Sequence, residues 1–263
     1  MFDYHVHSEW SFDAKDSIES IAAEAAGAGI QEICFTEHIE PYNTYGLDWN
    51  GYINFETYAA ETDRVRSLFP GLSIRRGLEL GLSESVLPDI RRYLSGKSLD
   101  FIIASQHFIQ NYDPYFPEYF IGKTKKEAEE TYLKCLFNCL KGFDAFCVVG
   151  HIGYVSKNAP YRSPLEYADY PDLIDEILKV IIHAGHGIEI NTSSWGVYGV
   201  PMPTPAIIGR FLELGGDVVT VGSDTHGKAR VGDHSKEALE LLRSVGGKYI
   251  CTFENLKPVF HKF

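Results

Sequence analysis

The opening segment, Asp3-Tyr4-His5-Val6-His7, places a carboxylate and two imidazoles at alternate positions. No helix has room to form before it, so it reads as a strand. Alternation then puts Asp3, His5 and His7 on one face, with Tyr4 and Val6 on the other. Neutral imidazole binds zinc, iron and manganese, and a D-x-H-x-H run on extended backbone presents a chelate. Further metal-type residues recur where later strands should end: Glu37-His38, Glu79, His107, His151, and Asp224 with His226. Six of the ten histidines therefore fall at strand ends with carboxylates among them, and together they predict one metal site. His183, His186, His234 and His261 fall on helices, helix ends or the tail and carry no expected role.

Those residues need a scaffold that brings strand ends together. Strands are predicted at 1–7, 32–38, 73–81, 101–107, 145–151, 187–193 and 217–224, with a last short one at 249–253. Between them, apolar residues at helical spacing predict helices near 17–28, 55–69, 84–94, 124–141, 171–184, 205–214 and 234–245. Asp16 or Ser17 caps the first. Runs such as Phe101-Ile102-Ile103-Ala104 and Val218-Val219-Thr220-Val221 are apolar on both faces, as in a parallel sheet covered on both sides. Seven or eight β-α units in 263 residues suit a TIM-like barrel better than a doubly wound sheet, which is the alternative. In such a barrel the C-terminal strand ends converge on one face.

No linker-like stretch divides the chain, so residues 1–263 are expected to form one domain. The N-terminus enters a strand without a basic, apolar leader, and no run is long enough for a membrane span, which predicts a cytoplasmic protein. The five cysteines agree: Cys34, Cys147 and Cys251 lie in apolar strand runs, Cys135 and Cys139 on a helix, and none forms a C-x-x-C pair. They are expected to be buried thiols. A formal charge of −12, with no basic run longer than Lys123-Thr124-Lys125-Lys126, argues against a nucleic-acid partner.

The motifs D-Y-H-V-H at 3–7, F-T-E-H at 35–38, G-L-E at 77–79, S-Q-H at 105–107, G-H-I-G at 150–153, E-I-N-T-S at 189–193 and G-S-D-T-H at 222–226 run through nearly the whole chain. Together they resemble the polymerase and histidinol phosphatase (PHP) family. The resemblance implies a distorted (β/α)7 barrel holding three divalent transition metals, zinc, iron or manganese. Carried over by position, His5, His7, Glu79 and Asp224 would hold one metal, Glu79, His107 and His151 a second, and Asp13, His38 and His226 the third. Asp13 stands where many relatives carry a histidine, and a carboxylate there favours harder metals.

The resemblance further implies a small phosphomonoester as substrate and is strongest to members that hydrolyse L-histidinol phosphate to L-histidinol and phosphate in histidine biosynthesis. Glu79, Asp224 and His226 would be catalytic, with Asp224, His226 or a metal-linked water protonating the leaving alkoxide. Arg162 would contact the phosphate, because relatives use an arginine in the loop after His151. Trp195-Gly196 stand where many relatives carry a second arginine, and Lys228 or Arg230 would replace its charge. Tyr42, Tyr45, Trp49, Tyr112, Tyr115, Phe116, Tyr119 and Phe120 are candidate walls around an imidazole, and Asp48, Asp113 and Glu118 candidate partners for a substrate nitrogen. Two other readings stand beside this one: a PHP phosphoesterase acting on another small phosphomonoester or on nucleic-acid ends, and a non-catalytic PHP module of a larger assembly.

Overall fold

A computed structural model describes residues 1–42 and 50–263, so Tyr45, Asp48 and Trp49 lie outside the described residues. Seven parallel strands pair in chain order: β1 (Phe2–Val6), β2 (Glu32–Ile39), β3 (Ser73–Gly81), β4 (Phe101–Ser105), β5 (Val148–Val149), β6 (Gly187–Asn191) and β7 (Val219–Gly222). The helices between them are α1 (Ile18–Gly27), α2 (Phe55–Leu68), α3 (Leu87–Leu94), α4 (Lys125–Gly142), α5 (Pro171–His183), the short α6 (Trp195–Tyr198), α7 (Pro205–Glu213) and α8 (Ser235–Ser244). A doubly wound sheet reverses its strand order at a switch point, and this one does not. It curls round until β7 meets β1, where His7 N–H donates to Thr225 O at 2.9 Å and Asp224 N–H to His5 O at 2.8 Å. The result is the TIM-like, nearly closed seven-stranded barrel. No helix among the described residues is long and apolar enough to cross a membrane.

Local chemistry sets the helix starts. Ser17 caps α1 by accepting the Ser20 N–H, Asn54 caps α2, and Thr124 with Glu127 forms a reciprocal capping box on α4. Asp16, the other candidate cap, instead accepts the Lys228 N–H at 2.9 Å and ties the loop after β1 to the loop after β7.

Several strands stop short of their expected ends. The β5 ladder covers only Val148–Val149 rather than 145–151, β4 ends at Ser105 rather than 107, and β7 covers Val219–Gly222 rather than 217–224. His107, His151 and Asp224 therefore sit just beyond the ladder, where the backbone is released to aim them. Asp224 takes a left-handed φ of 53°, a conformation costly for a non-glycine residue and held here by its N–H bond to His5.

Asp3 departs from simple alternation. β1 shifts register between Asp3 and Val6, and the Asp3 carboxylate turns to the seam, accepting Ser223 Oγ–H at 2.6 Å, Ser223 N–H at 2.9 Å and Gly232 N–H at 2.7 Å. It joins β1 to the loop after β7 instead of facing the metal-type residues. At the opposite end, β8 (Tyr249–Glu254) pairs antiparallel with β9 (Lys257–Lys262), and Phe253 and Cys251 pack with Tyr4, Cys34, Phe101 and Cys147 to fill the bottom of the barrel. All five cysteines are free thiols, four of them buried.

Candidate metal centre

Glu79, near the end of β3, is the hub of the C-terminal face. Its Oε2 lies 3.2 Å from His5 Nε2, 3.4 Å from His7 Nε2 and 3.1 Å from His38 Nδ1. Its Oε1 lies 2.8 Å from His151 Nε2 and 3.4 Å from His107 Nε2. Asp224 Oδ1 approaches His5, His7 and His226 at 3.6–3.7 Å. Asp13 Oδ2 lies 3.1 Å from His226 Nε2, and its Oδ1 lies 3.7 Å from His38 Nε2. All nine residues expected to ligate metal thus meet in one cluster, contributed by all the strand ends of the barrel except that of β6.

A fixed set of carboxylates and a hydroxyl stands behind the imidazoles. Glu189 Oε1 lies 2.6 Å from His5 Nδ1, and Glu40 Oε1 lies 2.6 Å from His107 Nδ1. His7 Nδ1 meets Ser11 Oγ at 3.1 Å, and Ser11 in turn donates to Glu37 at 2.6 Å. Because an ionised carboxylate only accepts, His5 and His107 carry hydrogen on Nδ1 and direct Nε2 inward. A side chain at Gly222 would collide with both Glu189 and the Cβ of His5, so the glycine of G-S-D-T-H lets that pair form.

The electrostatics suit cations. Burial alone would raise the carboxyl of Glu79, but His5, His107 and His38 hold it well below its ordinary value. Burial opposes ionisation of Asp224 too, and Lys157 and His5 outweigh it. Glu40, likewise buried, is drawn down to about 2 chiefly by His107. Against the burial that disfavours imidazolium, Asp13 and Glu79 lift His38 to about 9. His7 is pushed well below its usual value by burial and by the neighbouring His38 and His226. Among the described residues, His5 Nε2, His7 Nε2, His38 Nδ1 and Glu79 Oε2 are buried without a hydrogen-bond partner. Four orphaned ligand atoms converging at this spacing fit bound metal ions. Ligand-type atoms group as His5-His7-Asp224, His5-Glu79-His151, His7-His38-His226 and His38-Glu40-His107.

The cluster forms the floor of a cleft of about 670 Å³. Lys228 and Arg230 both line it, and so does Lys157, whose Nζ lies 3.0 Å from Asp224 Oδ2. Arg162 is exposed with φ 46° and is not among the lining residues. Of the aromatic candidates, Tyr115 and Phe116 line the cleft, joined by Phe12 and Tyr154, while Tyr119 and Phe120 are buried in the core. Asp113 lines it as well, whereas Glu118 is exposed and outside it.

Residues 3–193 match the PHP domain family. The chain belongs to that family. Its PHP relatives include a histidinol-phosphatase from Lactococcus lactis subsp. lactis, 30% identical over 97% of this chain and 95% of the relative. A probable histidinol-phosphatase from Clostridium acetobutylicum is 32% identical over 99% of this chain and 96% of the relative. Among solved structures, the Lactococcus lactis histidinol phosphate phosphatase complexed with zinc, L-histidinol and phosphate superposes with a TM-score of 0.89 at 28% identity, covering 98% of both chains.

Sequence reasoning missed Glu40, Ser11, Ser105 and Lys157. Glu189 and Ser105 lay inside quoted motifs without an assigned role; Ser105 Oγ donates to Glu79 Oε1 at 2.7 Å. Lys157 lies in the same loop as Arg162 and had only its charge as a signal.

Proposed function

We propose that the protein is a metal-dependent phosphomonoesterase that hydrolyses L-histidinol phosphate to L-histidinol and phosphate in histidine biosynthesis. The observation that carries this is a cluster of six imidazoles, Glu79, Asp224 and Asp13 under a cleft with basic side chains, in a chain alike along nearly its whole length to a phosphatase solved with zinc, L-histidinol and phosphate. In this reading His5, His7, Glu79 and Asp224 hold one divalent ion, Glu79, His107 and His151 a second, and Asp13, His38 and His226 a third, drawn from zinc, iron and manganese. Such ions supply Lewis acidity toward phosphoryl oxygens and lower the pKa of water to near neutral.

The chain's own residues do the rest. Lys157, Lys228 and Arg230 bring positive charge to a cleft of an otherwise acidic protein, as a phosphate dianion requires. Asp224, held ionised by Lys157 and His5 against its burial, would keep its negative charge toward the ion it holds. As water attacks phosphorus and the P–O bond to the histidinol oxygen breaks, the proton that water gives up would reach the leaving alkoxide by way of Asp224 or His226, 3.7 Å apart. Residues 1–263 act here as one PHP unit, because β7, beyond the matched region, supplies Asp224 and His226 to the same cluster. A cytoplasmic setting accords with five free thiols.

The test is a phosphate-release screen over metabolite phosphomonoesters with metal-loaded protein. Histidinol phosphate should give a higher kcat/KM than p-nitrophenyl phosphate, since a recognition pocket adds binding that a generic aryl ester does not use. Preference for nucleotides or single-stranded DNA would replace this reading.

A further inference from the structure

None of the nine clustered residues comes from the end of β6, yet Glu189, Asn191 and Ser193 of its E-I-N-T-S run stand at alternate positions beside the cluster. Glu189 is 1% exposed; its Oε1 lies 2.6 Å from His5 Nδ1, and its Oε2 accepts the His151 N–H at 2.9 Å and the Asn191 Nδ2–H at 3.1 Å. Asn191, fully buried, turns its Oδ1 the other way, to the Ser193 N–H at 3.1 Å and the Ser193 O–H at 2.6 Å. Ser193 Oγ lies in turn 3.2 Å from Asp224 Oδ2, the oxygen that Lys157 also reaches. The Asn191 main chain is anchored as well, its N–H and C=O pairing with Met202 at 2.8 and 2.9 Å. One line of hydrogen bonds therefore runs from His5 and His151 through β6 to Asp224. Among the bonds described, it reaches neither Asp13 nor His38.

We propose that Asn191 and Ser193 are positioning residues that fix the Asp224 carboxylate relative to His5 and His151, so that the ligands of the first and second ions keep one arrangement, an inference that rests on the ligand assignment above. An acceptor-only carboxylate on one side and two Ser193 donors on the other allow the Asn191 amide a single orientation. Because the Ser193 N–H already serves Asn191 Oδ1, its one hydroxyl hydrogen can turn to the charged oxygen of Asp224, the stronger acceptor. With Oδ2 engaged by Ser193 and Lys157, Asp224 Oδ1 is left facing His5 and His7, at 3.7 and 3.6 Å. A ligand carboxylate aimed in this way by outer partners binds an ion more tightly than one free to rotate.

The experiment exposes the zinc-loaded full chain to graded chelator and counts the zinc equivalents retained. Ser193→Ala should release one ion at about 10-fold lower chelator strength than wild type, and Asn191→Ala should release two. Ser193→Thr, which keeps the hydroxyl, should behave as wild type. The double variant should lose no more than Asn191→Ala alone, because the two residues act in series. The ion assigned to Asp13, His38 and His226 should stay bound as in wild type throughout. Retention equal to wild type in Ser193→Ala overturns the proposal, and so does loss of all three ions together with a lowered urea midpoint, which marks a loosened fold rather than a misaimed ligand. Should Asn191→Ala fail to fold, Ser193→Ala against Ser193→Thr decides the matter. Wild type that retains no zinc removes the ligand assignment itself, whereas zinc held equally by wild type and Ser193→Ala overturns this inference alone.

Discussion

Glu40 and His107 form a buried carboxylate–imidazole pair with 2.6 Å between Oε1 and Nδ1. Glu40 also lies 3.2 Å from His38 Nδ1 and accepts a hydrogen bond from Tyr42, so it fixes one imidazole of the cluster and braces a second. Outer partners of this kind commonly change metal affinity by about 10- to 100-fold when mutated. Glu40→Gln should therefore lose metal at correspondingly lower chelator concentration, with turnover at saturating metal falling less. Retention equal to wild type would mean the pair has no orienting role.

Which residues were legible in the sequence follows from how each signal arises. His5, Glu79 and His226 could be found because each stands near a strand end, and strands announce themselves by apolar runs. Glu40 and Glu189 could not, since they act on His107 and His5 across 67 and 184 positions, separations that only the closed barrel removes. Strand β9 was missed for a different reason. Lys257-Pro258-Val259-Phe260-His261-Lys262 is a largely exposed edge with a proline, and its hairpin turns at Asn255-Leu256 with φ of 51° and 63° rather than at a glycine. The expected lengths of β5 and β7 were too long because apolar composition continues where the ladder has already ended.

Glu79 lies between 2.8 and 3.4 Å from five imidazoles, a number no other cluster carboxylate matches among the contacts described. Glu79→Gln should purify with markedly less transition metal and lose nearly all phosphate release, and strong chelation of wild type should do the same. His234 stacks on Trp195 at 5.5 Å, outside the cluster, and His234→Ala should keep both metal and activity. Equal losses in the two variants would contradict the ligand map, and full activity in demetallated protein would remove metal from the mechanism.

Lys157 and Arg162 occupy the same loop but different surroundings. Lys157 reaches Asp224 from within the cleft, while Arg162 is exposed. Losing a charged hydrogen-bonding group on the phosphate should cost roughly 1.5 to 3 kcal/mol in kcat/KM. Lys157→Ala should show that loss with its metals retained, and Arg162→Ala a smaller one. Steady-state kinetics with metal analysis reads both; a larger loss for Arg162→Ala would mean that substrate draws that loop inward and that Arg162 is the principal phosphate contact.

The barrel seam gives a prediction about stability that leaves chemistry aside. Asp3 is fully buried and accepts from Ser223 Oγ, Ser223 N and Gly232 N, joining the first strand to the loop that follows the last. Burial pushes its carboxyl above the ordinary range, and those donors together with the His5 N–H work against that push. Asp3→Ala leaves the backbone N–H groups of His5, Ser223 and Gly232 and a hydroxyl facing an apolar methyl, and unsatisfied buried donors cost about 1 to 3 kcal/mol each before relaxation. A net loss of about 2 to 4 kcal/mol is expected in urea unfolding of the metal-free protein. Asp3→Asn keeps one acceptor oxygen for the Ser223 N–H and should lose less. Because β7 delivers Asp224 and His226, the alanine variant should also bind metal more weakly in proportion to its lost stability. An Asp3→Ala protein as stable as wild type would show that the two main-chain bonds between His5, His7 and the β7 loop close the barrel without it.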